Sequence, residues 1–331
     1  MITTIPNPAA TPAVVLLNPA SGGGRGMKRW LTVKPVVDAY WQAETVELDA
    51  GGMWELQIEK AVNSGVKTFI AAGGDGTVGA LADALVRVCP EGRLHTFTLG
   101  AAGLGSSNDF HKPVENMYGG IPLRIGRERV WRDVCRAGFR TSGTSWRYRH
   151  FLVSASIGIA ADSNAFFNNG NRTEQWLRSY WTSGAILYAA LHTIAGYRNR
   201  EACLHLPHQH NYRSLITNLS VTKTSWLSGT LHYDTPVVPD DGLFTINLSE
   251  GLTRIAALRL FIDLERGRFM GRPGRCYWRE SKLEVEFTSP VHLELDGEVF
   301  QAEHITFEII KEKIGICSGH LISDKLQKTA C

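Results

Sequence analysis

Short apolar runs alternate with stretches of helical periodicity through the first hundred residues of the chain. Four apolar runs predict buried strands, at residues 13–17, 45–48, 67–70 and 94–99. Three stretches between them place apolar residues at helical spacing, at residues 27–40, 54–63 and 78–88. Pro35 lies inside the first of these and marks a point where that helix could break. Strands that alternate with helices are typical of a parallel sheet covered on both faces.

The pattern changes at about residue 132, where short β-rich segments replace the alternation. These segments lie at residues 151–157, 214–222, 243–248, 282–287 and 291–295. Helical stretches at residues 174–197 and 254–266 lie among them, and residues 146–150 and 168–172 have the character of exposed loops. We therefore predict an α/β fold with an N-terminal parallel-sheet domain and a mainly antiparallel, β-rich second domain.

Composition limits the class of protein. The chain has 331 residues, 44% hydrophobic and 20% charged, which is typical of a globular protein large enough for two domains. Its net charge of +3 is too small to indicate nucleic-acid binding. The cysteines are dispersed without CxxC spacing, so we expect them to be reduced. Residues 1–12 lack the features of a secretory signal, and the longest apolar stretch, residues 185–197, is too short to span a bilayer.

Three glycine-rich loops each follow one of the predicted strands, at residues 18–24, 73–77 and 104–110. Glycine lets a backbone come close to a ligand, and the N–H groups at the start of a helix suit phosphate. Asp75, in the second loop, is placed to hold a metal-bound water or a sugar hydroxyl, or to cap the helix. Taken singly, the first loop could be an ordinary connection and the third a helix cap.

The coincidence of the three loops indicates a nucleotide site. The carboxyl ends of parallel strands meet at one edge of a sheet, so the loops would face a common ligand. The predicted nucleotide-binding residues are Asn18, Ser21, Gly22, Gly73, Gly74, Asp75, Gly76, Thr77, Gly105, Ser106 and Asn108.

Acidic residues beside glycine form two further candidate motifs. Asp296-Gly297-Glu298 could supply a carboxylate base, as in kinases, but Asp-Gly is also a standard hairpin signal, and the residues alone favour the hairpin. Residues 240–242, Asp-Asp-Gly, are either a turn or a metal loop. Asp133 alone predicts only a surface acid. The spacing of His205, His208 and His210 favours a solvent-exposed loop over a metal site.

Taken in order, these motifs resemble the diacylglycerol kinase catalytic family, which includes bacterial soluble lipid kinases and sphingosine kinases, over nearly the whole chain. Asn-Pro-x-Ser-Gly stands at residues 18–22 and Gly-Gly-Asp-Gly-Thr at residues 73–77. The family's Gly-Thr-x-Asn-Asp-Phe stands at residues 105–110, and its Asp-Gly-Glu at residues 296–298. Asp-Asp-Gly and Ser156-Ile157-Gly158 also resemble family segments.

The resemblance implies an ATP-binding α/β domain over residues 1–134 and a β-rich lipid-substrate domain over residues 135–311, with residues 312–331 returning to the first domain. It implies a kinase that uses ATP and Mg²⁺ and phosphorylates a lipid hydroxyl, with a diacylglycerol-type lipid as substrate. Such a protein would be cytoplasmic and peripheral to a membrane surface, with no transmembrane segment and no nucleic-acid partner.

The resemblance also implies roles for individual residues. Glu298 would accept the proton, with Asp296 beside it and Asp133 in the same acidic network, while Asp75 and Ser106 would serve the nucleotide. Repulsion from the Asp296 carboxylate would raise the pKa of Glu298.

A magnesium site separate from the nucleotide's own Mg²⁺ is implied as well. Asp241 and the carbonyls of Val238 and Leu243 would hold this ion, in a structural or regulatory role.

Some positions depart from the family pattern. Ser106 replaces a threonine, Ser154 stands where asparagine is usual, Asp49 lies near the place of a nucleotide-contacting threonine, and residues 99–104 lack the usual proline. These departures concern nucleotide affinity and lipid choice more than the fold.

Two other functions fit parts of the pattern. A NAD or sugar kinase also carries Gly-Gly-Asp-Gly, but the motifs at residues 18–22 and 296–298 count against it. A non-catalytic lipid or nucleotide sensor could keep the fold, although the retained Asp75, Asp296 and Glu298 argue against lost catalysis.

Overall fold

A computed structural model describes residues 12–49, 51–169, 182–207 and 211–320. The N-terminal strands are β1 (Pro12–Leu17), β2 (Gln42–Glu47), β3 (Thr68–Gly73), β4 (Thr98–Gly103), β5 (Met117–Tyr118) and β6 (Ile121–Arg124). The helices are α1 (Ser21–Gly24), α2 (Gly26–Tyr40), α3 (Met53–Asn63), α4 (Asp75–Val88), α5 (Ile159–Asn169), α6 (Thr182–Gly196) and α7 (Arg254–Glu265).

The remaining strands follow residue 128. They are β7 (Arg129–Arg140), β8 (Arg147–Phe151), β9 (Ser154–Gly158), β10 (Arg200–His205), β11 (Tyr212–Thr222), β12 (Trp226–Leu227), β13 (Leu231–His232), β14 (Phe244–Glu250), β15 (Arg275–Glu280), β16 (Lys282–Leu295) and β17 (Glu298–Cys317). Short 3₁₀ turns span Leu94–Thr96 and Asp109–His111.

The first four strands pair in parallel, in the order β2, β1, β3, β4. Side chains alternate across a strand, so Val15 of β1 packs on the face covered by α2, and Leu16 packs on the opposite face with α3 and α4. The aromatic anchors of the two faces are Trp30 of α2 and Trp54 of α3. This arrangement brings the ends of β1, β3 and β4 together at one edge, where the three glycine loops begin.

Strand β17 connects the two parts of the molecule. Most of it pairs antiparallel with β16 and β7, and its final residues, Gly315 and Ile316, pair in parallel with β4. The four parallel strands are thus not a sheet of their own but part of one large sheet in which antiparallel pairs predominate. The predicted mixed α/β fold with a large β-rich part is confirmed in this coarser form.

Several element predictions are corrected by the structure. Helix α2 runs through Pro35, which lies in its interior. The strand expected at residues 94–99 is a 3₁₀ turn followed by β4, because Leu94 packs into the core from the turn rather than from the sheet. Residues 146–150, expected as a loop, belong largely to β8, which pairs with β7. The two segments at 282–287 and 291–295 are one strand, β16, whose register shifts between Glu286 and Val291.

Some predictions fall outside the described residues. These are most of the loop at 168–172, the first turns of the helix at 174–197, two of the three clustered histidines, and most of the returning segment at 312–331. The third of those histidines, His205, bonds Asn211. The described cysteines are all free. None of the described helices combines the length and the apolar character needed to cross a bilayer.

Candidate functional site

The three glycine loops touch one another through their backbones. A Cβ added at Gly105 would lie 2.5 Å from the Cα of Gly74, and one added at Gly22 would lie 2.6 Å from the carbonyl oxygen of Leu104. Gly22 also has a positive φ of 60°, which disfavours other residues. Side chains would therefore force these loops apart, and glycine keeps the edge of the cleft as bare backbone.

Polar side chains fix the loops relative to each other. The Nδ2 of Asn18 donates to the Oγ1 of Thr77 at 3.2 Å, which ties the first loop to the second. Arg29 of α2 donates to the carbonyls of Gly103 (3.0 Å) and Gly105 (3.3 Å), which ties the first to the third. The sequence analysis did not identify Arg29, because a helical arginine has no local signal for such a long-range contact.

Nine of the predicted nucleotide-binding residues line a single cavity of about 440 Å³, at the carboxyl ends of the parallel strands. They are Asn18, Ser21, Gly22, Gly74, Asp75, Gly76, Thr77, Gly105 and Ser106. The other two residues, Gly73 and Asn108, do not line the cavity but hold the loops in place through hydrogen bonds. The carbonyl of Gly73 accepts the N–H of Leu104 at 2.7 Å. The side chain of Asn108, whose φ is 53°, both accepts from and donates to the backbone of Gly105 at 3.1 Å.

Asp75 is the first residue of α4, and its carboxylate faces the third loop. It accepts the N–H groups of Asp109 (3.1 Å) and Phe110 (2.9 Å). Burial, followed by the nearby Asp109 carboxylate, raises the pKa of Asp75 to about 7. Asp75 thus joins two loops and presents a charge that is poorly compensated within the protein.

The Asp-Gly pair at residues 296–297 is the two-residue turn of a hairpin between β16 and β17, in which Leu295 pairs with Glu298. Both turn residues have positive φ, 47° for Asp296 and 98° for Gly297, as this hairpin type requires. The structure therefore supports the hairpin interpretation, and the same turn lines the cavity beside the glycine loops. The hairpin and the functional interpretation are compatible.

Asp296 is almost fully buried, at 3% exposure, and its carboxylate is saturated with backbone donors. It accepts N–H groups from Leu152 (2.9 Å), Val153 (3.0 Å) and Ser154 (2.9 Å). Burial raises its pKa to about 7, although these three donors act in the opposite direction. Asp296 holds the segment between β8 and β9 in place, so it acts as a positioning residue.

Glu298 is an exposed residue that lines the cavity, and its carboxylate, though partly desolvated, makes no hydrogen bond within the described residues. Its pKa is raised, as expected, but the cause differs from the expected one. Loss of solvation is the main effect, with a further contribution from Asp83 and an opposing one from Arg149. Asp296 is not among the causes of this shift, and its carboxylate accepts the N–H groups of residues 152–154.

Two carboxylates of the cleft were not assigned from the sequence. Asp109 accepts the N–H of Gly229 at 3.0 Å and pairs with Lys112 at 2.9 Å, and burial raises its pKa. Glu294 bonds the hydroxyl of Ser156 and accepts the N–H of Gly297 at 2.5 Å, and burial raises its pKa to about 7. We call the set that lines the cavity the cleft carboxylates: Asp75, Asp109, Glu294, Asp296 and Glu298.

The cavity continues from the glycine loops into an apolar pocket. Its walls come from α5, α6, α7 and the short strands β12 and β13. The apolar lining residues are Ile159, Phe167, Ala189, Ala190, Ile194, Leu227, Leu231, Ala257, Leu260, Phe261 and Leu264. Two of the cleft carboxylates, Asp75 and Asp109, belong to the glycine loops, and Asp109 also accepts the N–H of Gly229 between β12 and β13, so one continuous space joins the loops to the apolar pocket.

Asp133 is not brought into the cavity. Its carboxylate pairs with the ammonium of Lys223 at 2.9 Å and accepts the N–H of Gly242 at 2.7 Å. The same ammonium donates to the carbonyls of Val238 and Leu243, both at 2.7 Å, and lies 3.5 Å from Asp241. The predicted magnesium ligands therefore surround a lysine. We call this group the Lys223 cluster: Lys223, Asp133, Asp241 and the carbonyls of Val238 and Leu243.

The departures from the family pattern have structural roles. Asp49 accepts the N–H groups of Gly51 (3.0 Å) and Trp54 (3.1 Å) at the start of α3, and it does not line the cavity. Ser154 is buried, and its backbone N–H bonds Asp296. Ser106 is exposed and lines the cavity. Residues 99–104 need no proline, because most of them form the buried strand β4.

Comparison with known proteins places this fold in context. Residues 12–129 match the sequence model of the diacylglycerol kinase catalytic domain. A protein named "Probable lipid kinase YegS-like" from Pseudomonas syringae pv. syringae is 24% identical over 285 residues, which cover 84% of this chain and 85% of that protein. The resemblance predicted from the motifs is thereby confirmed.

Solved structures show the same fold over nearly the whole chain. A crystal structure of a "putative diacylglycerol kinase" from Bacillus anthracis strain Sterne superposes with a TM-score of 0.68 at 18% identity, covering 93% of this chain and 97% of the other. A second diacylglycerol kinase structure from that organism gives a TM-score of 0.64 at 16% identity, with coverages of 94% and 98%.

Proposed function

We propose that this chain, whose residues 12–129 match the sequence model of the diacylglycerol kinase catalytic domain, is a lipid kinase that transfers the γ-phosphoryl group of ATP to a lipid hydroxyl. A diacylglycerol-type alcohol is the proposed acceptor. The observation that carries the proposal is the shape of the cavity. One cavity is lined by backbone loops suited to phosphate, by an apolar pocket suited to acyl chains, and by five carboxylates.

The nucleotide would bind at the glycine loops. The residues at that end fit a nucleotide because the edge is bare backbone, with the N-terminus of α4 and the exposed hydroxyl of Ser106 facing the space. We propose residues 1–134, together with residues 312–331, as the nucleotide-binding unit, and residues 135–311 as the lipid-binding unit.

Mg²⁺ would enter with ATP and neutralise charge on the phosphates during transfer. No three described His, Cys, Asp or Glu side chains are arranged to hold a metal ion by themselves. Mg²⁺ usually takes one or two carboxylates together with substrate phosphates and water, and Asp75 is the candidate among the cleft carboxylates because it adjoins the glycine loops.

Glu298 would take the proton from the lipid hydroxyl. The hydroxyl oxygen forms a bond to the γ-phosphorus, the bond from that phosphorus to the bridging oxygen of ADP breaks, and the hydroxyl proton moves to the Glu298 carboxylate. Glu298 suits this role because its carboxylate accepts no hydrogen bond from the described part of the chain and its raised pKa makes it a better base. Asp296 would keep the hairpin and residues 152–154 in register.

The lipid would enter from a membrane surface. Helices α6 and α7 line the apolar pocket with one face and expose apolar residues on another, namely Leu187, Leu191, Ile255, Leu258 and Ile262. Exposed arginines lie beside them on α7 or just after it, at Arg254, Arg259 and Arg266. Apolar side chains flanked by arginine suit an anionic lipid surface, so we propose a peripheral protein on a cytoplasmic membrane face, where free cysteines persist.

A panel of acceptors tests the proposal. We expect labelled phosphate to move from Mg·ATP to diacylglycerol and not to NAD or free sugars, whose polarity does not suit the apolar pocket. Transfer to NAD or a sugar would favour that alternative. Nucleotide or lipid binding without transfer to diacylglycerols, phosphatidylglycerol, sphingoid bases or ceramide would favour the sensor.

The acyl pocket can be probed by filling it. Ala190→Phe places a ring where a small buried side chain now lines the cavity, so we expect KM for long-chain diacylglycerol to rise about tenfold, with a smaller change for a short-chain lipid. Ala195→Phe, on an exposed position of the same helix, is the matched control. Equal kinetics of Ala190→Phe with both lipids would remove the acyl chain from this pocket.

A further inference from the structure

Lys223 lies at the centre of the atoms that the family resemblance assigns to a magnesium ion. Its ammonium has three protons and three acceptors within 3 Å: the carbonyls of Val238 and Leu243, both at 2.7 Å, and the Asp133 carboxylate at 2.9 Å. Asp241 lies slightly farther away, at 3.5 Å. The hydrogen-bonding capacity of the ammonium is therefore filled.

The ammonium is also sealed from solvent. The Lys223 side chain has 0% exposure and that of Asp133 has 1%. Removing a charge from water costs several kcal/mol unless partners compensate it, and here the partners are all in place. A divalent ion could enter only if the ammonium left this buried position.

Other cations already neutralise the acids of the cluster. Arg279 pairs with the second oxygen of Asp241. Lys313 lies 4.0 Å from the other oxygen of Asp133 and donates to the carbonyl of Asp240. Two carboxylates thus face three basic side chains, and even if the Lys223 ammonium left, Arg279 and Lys313 would balance both acids, so a divalent ion would meet no net negative charge.

We infer that the Lys223 ammonium replaces the magnesium ion at this position, so that the chain binds no divalent cation among Asp133, Asp241 and the Val238 and Leu243 carbonyls. Lys223 then performs the cross-linking role of a structural metal. Its side chain joins β7 to residues 238–243, and its own N–H bonds the carbonyl of Val153 at 2.9 Å. The N–H of Val153 in turn bonds Asp296, so the cluster is connected to the cleft through a single residue.

Metal binding without nucleotide or lipid tests the inference directly, and the result does not depend on the proposed kinase activity. We would count Mn²⁺ bound per chain by electron paramagnetic resonance in the wild type and in Asp241→Asn. We expect the wild type and Asp241→Asn to bind the same number of Mn²⁺ ions, because any bound ion occupies the cleft and not the Lys223 cluster. Loss of one equivalent of Mn²⁺ in Asp241→Asn would overturn the inference.

Replacement of the lysine gives the second readout. Lys223→Ala removes the donor shared by the Asp133 carboxylate and the two carbonyls and leaves Asp133 with the N–H of Gly242, so we expect the melting temperature to fall by about 5 °C and to be partly restored by millimolar Mg²⁺. Any change of melting temperature between EDTA and Mg²⁺ should be the same in the wild type and in Asp241→Asn, because an ion in the cleft does not contact Asp241. Lys282→Ala removes an exposed lysine from β16 and should leave melting unchanged.

A Lys223→Ala protein that melts like the wild type, or a stabilisation by Mg²⁺ that the wild type shows and Asp241→Asn lacks, would contradict the inference. If Lys223→Ala does not fold, the Mn²⁺ count and the melting comparison between the wild type and Asp241→Asn still decide.

Discussion

The cleft carboxylates and the Lys223 cluster both contain buried acidic side chains, but the two groups differ in how the negative charge is balanced. In the Lys223 cluster, two aspartates meet two lysines and an arginine. Among the cleft carboxylates, only Asp109 has a basic ion-pair partner within the described residues, Lys112. The carboxylates of Asp75, Glu294 and Asp296 accept backbone N–H groups or a hydroxyl, and that of Glu298 has no hydrogen bond within the described ranges.

The acids of the Lys223 cluster already have basic partners, whereas most cleft carboxylates lack partners that a bound ligand could supply. Burial without a counter-ion disfavours the charged form of an acid, and three of the cleft carboxylates accordingly have pKa values raised to about 7, namely Asp75, Glu294 and Asp296. Such a set gains free energy when cations arrive, as the Mg²⁺ of a nucleotide would. A further cation would not stabilise the Lys223 cluster in this way, because its carboxylates are already paired with basic side chains.

The largest expected effect comes from Glu298→Gln, which changes the free carboxylate of the cleft. A positioned general base contributes about 10²–10⁴-fold, so kcat for the lipid should fall by this factor. Affinity for ATP and the melting temperature should not change, because Glu298 is exposed and makes no hydrogen bond among the described residues. Steady-state kinetics and calorimetry measure both quantities.

The control for Glu298→Gln is Glu91→Gln, an exposed position away from the cavity. A Glu298→Gln enzyme with near wild-type kcat would remove the base assignment and leave Glu298 as a hairpin residue.

A smaller effect is expected from Gly74→Val, which tests the backbone at the polar end of the cleft. A Cβ at Gly74 would lie 3.2 Å from the Cα of Gly105, and a branched side chain there would push the two loops apart. We expect the Kd for ATP to rise at least about tenfold, or about 1.4 kcal/mol. Gly196→Ala, where an added Cβ meets nothing within 4 Å, is the control. Unchanged ATP affinity in folded Gly74→Val would place the nucleotide elsewhere.

The smallest effect concerns pH. Carboxyl groups titrate near pH 4 when unfolded, whereas the cleft acids Asp75, Glu294 and Asp296 have folded pKa values of about 7. The folded state therefore holds more protons between about pH 4 and 7, and this contribution to stability is lost as pH rises through that window. We expect ligand-free protein to melt a few degrees higher at about pH 5 than at about pH 8.

Mg·ATP should reduce the difference in melting temperature between the two pH values, because it favours the charged form of the carboxylates. Glu294→Gln should reduce the same difference in the ligand-free protein, because it removes one carboxyl group with a raised pKa. A ligand-free protein that melts lower at about pH 5 than at about pH 8 would show that the cleft acids are charged in the folded state.

Local sequence signals were enough to find one end of the cleft. Each glycine loop is contiguous in sequence and stands directly after a strand, so its position followed from a short window. Parallel pairing of β1, β3 and β4 then brings the three loops together. Asp-Gly at residues 296–297 was likewise a local signal, which indicated the hairpin that the structure contains.

Signals that depend on distant partners were missed. Lys223 follows a run of hydroxyl and apolar residues, and the acid that pairs with it is 90 positions away. Glu294 stands between Leu293 and Leu295, where alternation in a half-exposed strand would turn it to solvent, yet all three are buried. Strand β17 was not predicted, because its 20 residues mix charged and apolar positions and because the strand pairs with three separate strands.

The path of β17 has a consequence for the order of synthesis. Strands β4 and β7 are made early, but their common neighbour at residues 304–317 leaves the ribosome almost two hundred residues later. Until then, hydrogen-bonding edges of both strands stay open, and open edges invite pairing with other chains. We therefore expect the N-terminal half, expressed alone, to aggregate more readily than the full chain.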